Sequence, residues 1–286
     1  MTLYLVGLGP GSLEHLTLRA AEVLQTSQAV VGYGPYVDLV EAWFPDGGRI
    51  AIRGTLGQEK ERAQAAIRLA HQEGLRVALV SSGDAGIYGM GGPLFQTLLE
   101  NGWTGEDPRV EVVPGVTAAL SANALLGAPL ADDLALISLS DILTPWTIIA
   151  QRLEAVAQAD FVLALYNPAS TRRRQGLQQA QRILLRHRSP DTLVALVRNA
   201  LRGDTSLCVT TLAHLPHAEV DMLTLVIVGN SSTARLTSDR LVSHRGLASL
   251  ASRVARRRRS RVGPRPATRD PRPLDPPTSR PLAGRA

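Results

Sequence analysis

Short apolar runs alternate with segments of helical periodicity along the first half of the chain. The apolar runs predict strands, at residues 3–8, 29–32, 75–81 and 109–113. Apolar positions spaced three and four apart predict helices, at residues 13–25, 58–73, 91–100 and 116–126. Because strands and helices alternate, we expect a parallel sheet with helices on its faces.

The pattern changes near residue 134. Apolar runs there predict strands at residues 134–139, 161–165, 193–197, 207–211 and 223–228, and helical spacing predicts helices at residues 146–157 and 172–186. Short connections between the last three strands favour antiparallel hairpins. We therefore expect an α/β fold of two domains, a parallel-sheet domain at residues 1–130 and a mixed-sheet α/β domain at residues 131–246.

The remaining residues, 247–286, form an Arg- and Pro-rich tail that we expect to be disordered, because its few apolar side chains cannot offset the entropy of ordering. The net charge of +6 is concentrated there. The tail holds eleven Arg and two Asp, whereas residues 1–246 hold 20 basic and 23 acidic side chains. The tail could contact nucleic-acid phosphates without sequence preference, although a solvated extension without a partner is the simpler interpretation.

Targeting signals and metal motifs do not stand out in the sequence. No apolar stretch is long enough to cross a bilayer and the first residues lack a signal-peptide pattern, so we expect a cytoplasmic protein without a membrane partner. The single cysteine, Cys208, excludes an internal disulfide and a cysteine-cluster metal site. His214 and His217 flank Pro216, which we expect to prevent a helix there, so a solvated loop is favoured over a metal site.

Four glycine-bearing segments each follow a predicted strand. They are Gly7-Leu8-Gly9-Pro10-Gly11, Gly32-Tyr33-Gly34-Pro35, Gly83-Asp84-Ala85-Gly86 and Pro114-Gly115-Val116-Thr117-Ala118. Any one of them alone reads as a tight turn. In an open parallel sheet, however, all four would gather at the carboxyl edge, where ligands bind and where glycine lets the backbone approach them closely.

The common nucleotide sites do not fit these segments. The first differs from the G-x-G-x-x-G fingerprint, and no acidic residue ends the second strand, which argues against a dinucleotide site. The chain also lacks the P-loop, G-x-S-x-G and H-E-x-x-H motifs.

Three ordered motifs instead resemble the tetrapyrrole methylase family. They are Leu5-Val6-Gly7-Leu8-Gly9-Pro10-Gly11-Ser12, Ser82-Gly83-Asp84-Ala85-Gly86-Ile87-Tyr88-Gly89 and Pro114-Gly115-Val116-Thr117-Ala118-Ala119. Members of that family transfer methyl groups from S-adenosylmethionine to porphyrin-derived rings. Further stretches, among them Gly32-Tyr33-Gly34-Pro35-Tyr36 and Leu165-Tyr166-Asn167-Pro168, resemble the branch that methylates C17 of precorrin-3B or its cobalt form and contracts the ring during cobalamin synthesis.

The resemblance implies S-adenosylmethionine as cofactor and implies which residues contact it: Pro10, Ser82, Gly83, Asp84, Ile87, Thr117, Ala118, Asn167 and Ala200. A sulfonium methyl is already activated, so the protein needs mainly to align it and to exclude water. Neither a metal nor a nucleophilic side chain is required.

The substrate of such an enzyme is a wide, flat ring fringed with carboxylates, for which Arg is a natural partner. The predicted substrate residues are Arg53, Tyr36, Tyr88, Arg172, Arg173, Arg174 and Arg198. As alternatives to substrate binding, the Arg run could be an exposed first turn of a helix, and the tyrosines could be packed in the core. Tyr33 and Ser81 are acid/base candidates on position alone.

Two other functions stay open from the sequence. One is a sibling enzyme of the same fold that methylates another corrin carbon or an RNA base. The other is a nucleic-acid-binding protein that acts through its Arg-rich tail, which the negative charge of residues 1–246 disfavours. The resemblance also implies a homodimer, and it implies no specific nucleic-acid partner.

Overall fold

A computed structural model describes residues 2–45, 48–169 and 175–245. Within these ranges the chain forms two five-stranded sheets and a small three-stranded sheet. The strands are β1 (Thr2–Gly7), β2 (Ala29–Tyr33), β3 (Ile50–Gly54), β4 (Val77–Ser81), β5 (Arg109–Val113), β6 (Gly127–Ala128), β7 (Leu134–Ser138), β8 (Val162–Tyr166), β9 (Leu193–Arg198), β10 (Ser206–Thr211), β11 (Thr224–Val228), β12 (Ala234–Arg235) and β13 (Leu241–Val242).

Helices cover the sheets: α1 (Leu18–Thr26), α2 (Gly34–Trp43), α3 (Glu59–His71), α4 (Gly91–Glu100), α5 (Ala118–Leu126), α6 (Trp146–Gln158) and α7 (Gln175–Leu184). Short 3-10 helices lie at Leu13–His15 and Leu212–His217. Among these helices, none is long and apolar enough to cross a membrane. The predicted tail lies outside the described residues.

The first sheet has the order β3-β2-β4-β1-β5, and every neighbouring pair is parallel. Strands β1, β2 and β4 are apolar and buried because cores form on both faces of the sheet. The carboxyl ends of all five strands therefore lie along one edge. The predicted parallel sheet is confirmed.

The second sheet has the order β10-β9-β11-β8-β7. Strands β7 and β8 are parallel, whereas β8–β11, β11–β9 and β9–β10 are antiparallel, so the predicted mixed sheet is also confirmed. Helices α6 and α7 pack on one face, and α5, which follows β5 of the first sheet, packs on the other. The described residues belong to one compact unit, and the predicted boundary at residue 130 stays a prediction.

Several local predictions were wrong. Gly34 and Pro35 were interpreted as part of a loop, but they begin α2, because proline suits the first turn of a helix. The edge strand β3 was missed, since its residues are partly exposed and give little apolar signal. The first helix begins at Leu18 rather than at residue 13, because the Thr17 side chain caps it by accepting a hydrogen bond from the Ala20 amide (3.2 Å).

Pro216 also does not prevent a helix. It lies within the short 3-10 helix Leu212–His217, where it removes one amide donor without preventing this turn. Helices α5 and α7 differ from their predictions only at their ends, and residues 172–174 lie outside the described residues.

Replacing Leu79 tests the packing of the first sheet. Its side chain on β4 is fully buried, so we expect Leu79→Ala to lower the free energy of unfolding by about 2–5 kcal/mol. Leu18→Ala is the control, because Leu18 is 91% exposed and its loss should change stability by less than about 0.5 kcal/mol. Urea denaturation measures both, and equal effects would contradict the packing described.

Candidate active site

Two of the predicted glycine loops meet through their backbones at the carboxyl edge of the first sheet. The Gly9 amide donates a hydrogen bond to the Gly83 carbonyl (3.0 Å), and the Gly83 amide donates to the Gly9 carbonyl (2.7 Å). Both glycines have positive φ values, +65° and +62°, which side-chain-bearing residues rarely adopt. The loop after β1 is thereby fixed to the loop after β4.

The loop after β5 enters the same contact. A Cβ atom on Gly7 would lie 2.7 Å from the Gly83 carbonyl oxygen and 2.8 Å from the Gly115 amide nitrogen. A Cβ atom on Gly115 would collide with the same carbonyl oxygen. Because no side chain fits at these positions, the three loops can approach one another only through glycine.

Asp84 fastens this arrangement with its carboxylate. Its Oδ1 accepts a hydrogen bond from the Gly86 amide (2.8 Å), and its Oδ2 accepts one from the Gly115 amide (3.1 Å). The acid in the glycine-rich segment thus joins the loops after β4 and β5. Each oxygen keeps a second lone pair with which it could accept a hydrogen bond from a ligand.

Tyr166, at the end of β8 in the second sheet, connects the two halves of the site. Its hydroxyl lies 2.7 Å from the Thr117 Oγ1 and accepts a hydrogen bond from the Ala119 amide (3.0 Å). Burial raises the pKa of the Tyr166 phenol, so it stays a proton-bearing hydrogen-bond partner at neutral pH. Sequence reasoning missed this residue, although it directly precedes the predicted Asn167.

Tyr88 makes a second connection. Its ring lies 5.1 Å from the Tyr166 ring, and its hydroxyl donates a hydrogen bond to the Leu136 carbonyl on β7 (2.9 Å). Its φ of 54° is unusual for a tyrosine, and burial raises its pKa. The side chain is nevertheless 52% exposed, which leaves part of the ring open to a ligand.

The residues predicted from the second sheet lie in tight turns. Asn167 has a φ of 51° and donates a hydrogen bond from its side-chain amide to the Ser138 Oγ (3.0 Å). Ala200 lies between two residues of positive φ, Asn199 and Leu201. Both turns follow strands of the second sheet.

An open cleft of about 340 Å³ begins beside the loop after β1. Gly11 and Ser12 line it from the first sheet, Tyr36 and its neighbours line it from α2, and Arg202 lines it from the loop after β9. The predicted glycine segment after β2 therefore contributes a wall of this cleft through α2, the helix that it begins. Tyr33 lies at the end of β2, with its ring 5.2 Å from that of Tyr36.

The acid/base candidate Ser81 is largely buried. Its Oγ accepts a hydrogen bond from the Met90 amide (3.4 Å), and a Cβ atom on Gly89 would lie 2.6 Å from it. The hydroxyl therefore faces the turn at residues 82–90. An acid/base role for Ser81 or Tyr33 stays a prediction.

The predicted arginines already hold carboxylates. Arg53 donates to Asp38 Oδ1 (2.8 Å) and to Glu41, and chiefly the bond to Asp38 raises its pKa. Arg198 Nε donates to Asp221 Oδ2 (2.8 Å). The other three, Arg172, Arg173 and Arg174, lie outside the described residues.

The site therefore consists of backbone groups, small residues and hydroxyls around one carboxylate. The residues predicted to contact the cofactor include no Lys or Arg that would balance the charge of a phosphate. S-adenosylmethionine, which has no phosphate, fits such a set. Among the described residues, no three His, Cys, Asp or Glu side chains lie together as a metal site.

Comparison with known proteins yields one matching family model. It is described as Tetrapyrrole (Corrin/Porphyrin) Methylases and matches residues 2–216.

Two curated relatives share nearly half of their aligned residues with this chain. The cobalt-factor III methyltransferase of Priestia megaterium is 47% identical over 245 residues, which cover 85% of this chain and 45% of that protein. The probable cobalt-factor III C(17)-methyltransferase of Salmonella typhimurium is 45% identical over 231 residues, which cover 81% of this chain and 93% of that protein. The chain thus spans less than half of the first relative and nearly all of the second.

Solved structures give the same result. The methyltransferase CobJ superimposes with a TM-score of 0.76 at 34% identity, covering 85% of this chain and 98% of that one. A uroporphyrin-III C-methyl transferase from Thermus thermophilus, complexed with S-adenosylhomocysteine, has a TM-score of 0.62 at 26% identity and covers 83% of this chain and 97% of that one.

Gly115→Ala tests the convergence of the loops. The added Cβ would collide with the Gly83 carbonyl, and relieving the clash should cost about 1–3 kcal/mol of stability. Gly92→Ala is the matched control, because nothing lies within 4 Å of its added Cβ in α4 and the change should be neutral or slightly stabilising. Thermal unfolding compares them, and an unchanged melting temperature for Gly115→Ala would count against the contact.

Tyr166→Phe tests the connection between the sheets. It keeps the ring but removes the hydroxyl that meets Thr117 and Ala119, so we expect a loss of about 1–2 kcal/mol. Tyr4→Phe is the control, because the Tyr4 hydroxyl has no hydrogen-bond partner among the described residues. Urea denaturation with equal midpoints for both variants would contradict the assignment.

Proposed function

Because the chain belongs to the tetrapyrrole (corrin/porphyrin) methylases, we propose that it methylates C17 of precorrin-3B or its cobalt form in cobalamin synthesis and promotes contraction of the ring. The observation that carries the proposal is the 45% identity to the Salmonella typhimurium relative across 93% of that protein. The 34% identity to CobJ at a TM-score of 0.76 supports it. Both relatives described above are named for cobalt-factor III, which favours the cobalt form as substrate.

The methyl donor in this proposal is S-adenosylmethionine, which supplies an already activated methyl group. It would be held by the converging loops through Pro10, Ser82, Gly83, Asp84, Ile87, Thr117 and Ala118, and by Asn167 and Ala200 from the second sheet. The chain's own task is then to orient the donor and to exclude water. The S-adenosylhomocysteine in the Thermus thermophilus enzyme supports this choice of cofactor.

The substrate would lie against the tyrosines near the loops. Tyr88 offers a partly exposed ring and Tyr36 lines the cleft, so both suit a flat macrocycle. Tyr33, adjacent to Tyr36, is better placed than the buried Ser81 to exchange a proton with a ligand. The proposal includes a cytoplasmic homodimer.

The alternative of a nucleic-acid-binding protein rests on the tail alone, which lies outside the described residues. The family model matches residues 2–216, which do not include the tail. A sibling activity on another corrin carbon uses the same site, and the identity to the C17 enzymes disfavours it.

Methyl transfer to cobalt-factor III tests the proposal. With labelled S-adenosylmethionine we expect the purified protein to add one methyl group to this ring, and to act more slowly on metal-free precorrin-3B. Mass spectrometry and absorbance follow the product. No gain in mass with either ring would overturn the proposal.

Asp84→Ala serves as the variant in that assay. Loss of the carboxylate frees the loops after β4 and β5, so we expect the rate to fall at least about tenfold while the protein remains folded. Asp191→Ala, an exposed aspartate remote in sequence from the loops, is the control and should keep the wild-type rate. Equal rates for the two variants would contradict the role of Asp84.

A further inference from the structure

Arg202 is a half-buried cation without a carboxylate partner in the described part of the chain. Its Nε donates a hydrogen bond to the Pro10 carbonyl, which brings the loop after β9 against the loop after β1. A backbone carbonyl takes up one donor but neutralises no charge. Arg202 lines the cleft, and its guanidinium has further N–H groups with which it could bind an anion there.

The turn that holds Arg202 has an unusual backbone conformation. Asn199 and Leu201 both adopt positive φ, 50° and 58°, and for a residue as bulky as leucine this conformation is costly. The Arg202 amide donates to the Asn199 carbonyl (2.9 Å), and the Thr205 hydroxyl contacts the Asn199 and Arg202 carbonyls (2.8 and 2.7 Å). The turn therefore fixes the arginine beside the cleft at an energetic cost, as ligand-binding loops often do.

The cleft beside Arg202 combines one charge with an apolar wall. Pro35, Tyr36 and Leu39 form the wall from α2, and Ser12, whose hydroxyl lies 2.8 Å from His15 Nδ1, also lines the cleft. None of the residues predicted to contact the cofactor lines this cleft. Its volume of about 340 Å³ holds the rim of a large ring rather than the whole of one.

Arg202 differs from two of the arginines predicted to bind the substrate in having no carboxylate partner among the described residues. Arg53 and Arg198, which the sequence suggested for the substrate, are each paired with a carboxylate in the structure. An anion that approached either of them would have to displace an existing ion pair. Arg202 requires no such displacement.

We propose that Arg202 binds a carboxylate on the rim of the tetrapyrrole while the ring edge packs against Tyr36. This inference rests on the proposed function and adds a substrate-binding residue to it. The same chemistry could recognise the methionine carboxylate of the cofactor, but, apart from Gly11 and Ser12 of the loop after β1, the cleft is lined by α2 and by the loop after β9. The macrocycle is therefore the assigned source of the carboxylate.

Binding measurements on Arg202→Gln and Arg202→Lys test the assignment. Absorbance titration gives the Kd for cobalt-factor III in the presence of S-adenosylhomocysteine, and calorimetry gives the Kd for S-adenosylhomocysteine itself. Arg235→Gln is the matched control, because this exposed arginine also donates to a backbone carbonyl, that of Val209, and does not line the cleft.

We expect Arg202→Gln to weaken cobalt-factor III binding about tenfold, as loss of one charge-assisted hydrogen bond predicts. Arg202→Lys should retain part of the affinity, and S-adenosylhomocysteine binding should stay within about twofold of wild type. If Arg202→Gln does not fold, two other measurements test the inference. Arg202→Lys should bind cobalt-factor III more weakly than wild type, and added salt should weaken binding to the wild-type protein.

Unchanged cobalt-factor III affinity in the Gln variant, or in the Lys variant if only that one folds, would overturn the inference. A loss confined to S-adenosylhomocysteine would overturn it as well, by assigning Arg202 to the cofactor. A wild-type protein that transfers no methyl group would instead overturn the proposed function, so the two failures are distinguishable.

Discussion

The site depends on one close backbone contact. The loops that follow β1, β4 and β5 meet so tightly that no side chain fits between them. Gly7, Gly83 and Gly115 lie so close together that a Cβ atom on the first or the last would overlap backbone atoms. Parallel strands bring their carboxyl ends to one edge, and glycine at these positions allows the loops beyond them to touch. Asp84 then fixes the arrangement by accepting backbone hydrogen bonds from two of those loops.

The second sheet contributes two side chains that contact loops of the first sheet. Tyr166 carries its hydroxyl to the start of α5, and Arg202 carries its guanidinium to the loop after β1. Tyr166 lies at the end of the apolar strand β8, whereas Arg202 is held by the turn between β9 and β10. In the proposed function, the loops would hold the cofactor, and the neighbouring tyrosines with Arg202 would hold the substrate.

Sequence periodicity predicted the buried parts of the fold well, because burial on both faces produces continuous apolar runs such as β4 and β11. It missed β3, whose half-exposed side chains leave a weak signal, and α2, whose initial glycine and proline also occur in turns. Motif resemblance suggested the loops, but it could not show that Arg53 and Arg198 are paired with acids. Such pairing depends on tertiary contacts, as does the isolation of Arg202.

A crystal structure of this chain with S-adenosylhomocysteine tests most directly whether the convergent glycine loops build the cofactor site. We expect density for the ligand in contact with the loops after β1, β4 and β5, on the side that faces Thr117 and Asn167. Density at another surface, or none at ligand concentrations that saturate binding in solution, would contradict it.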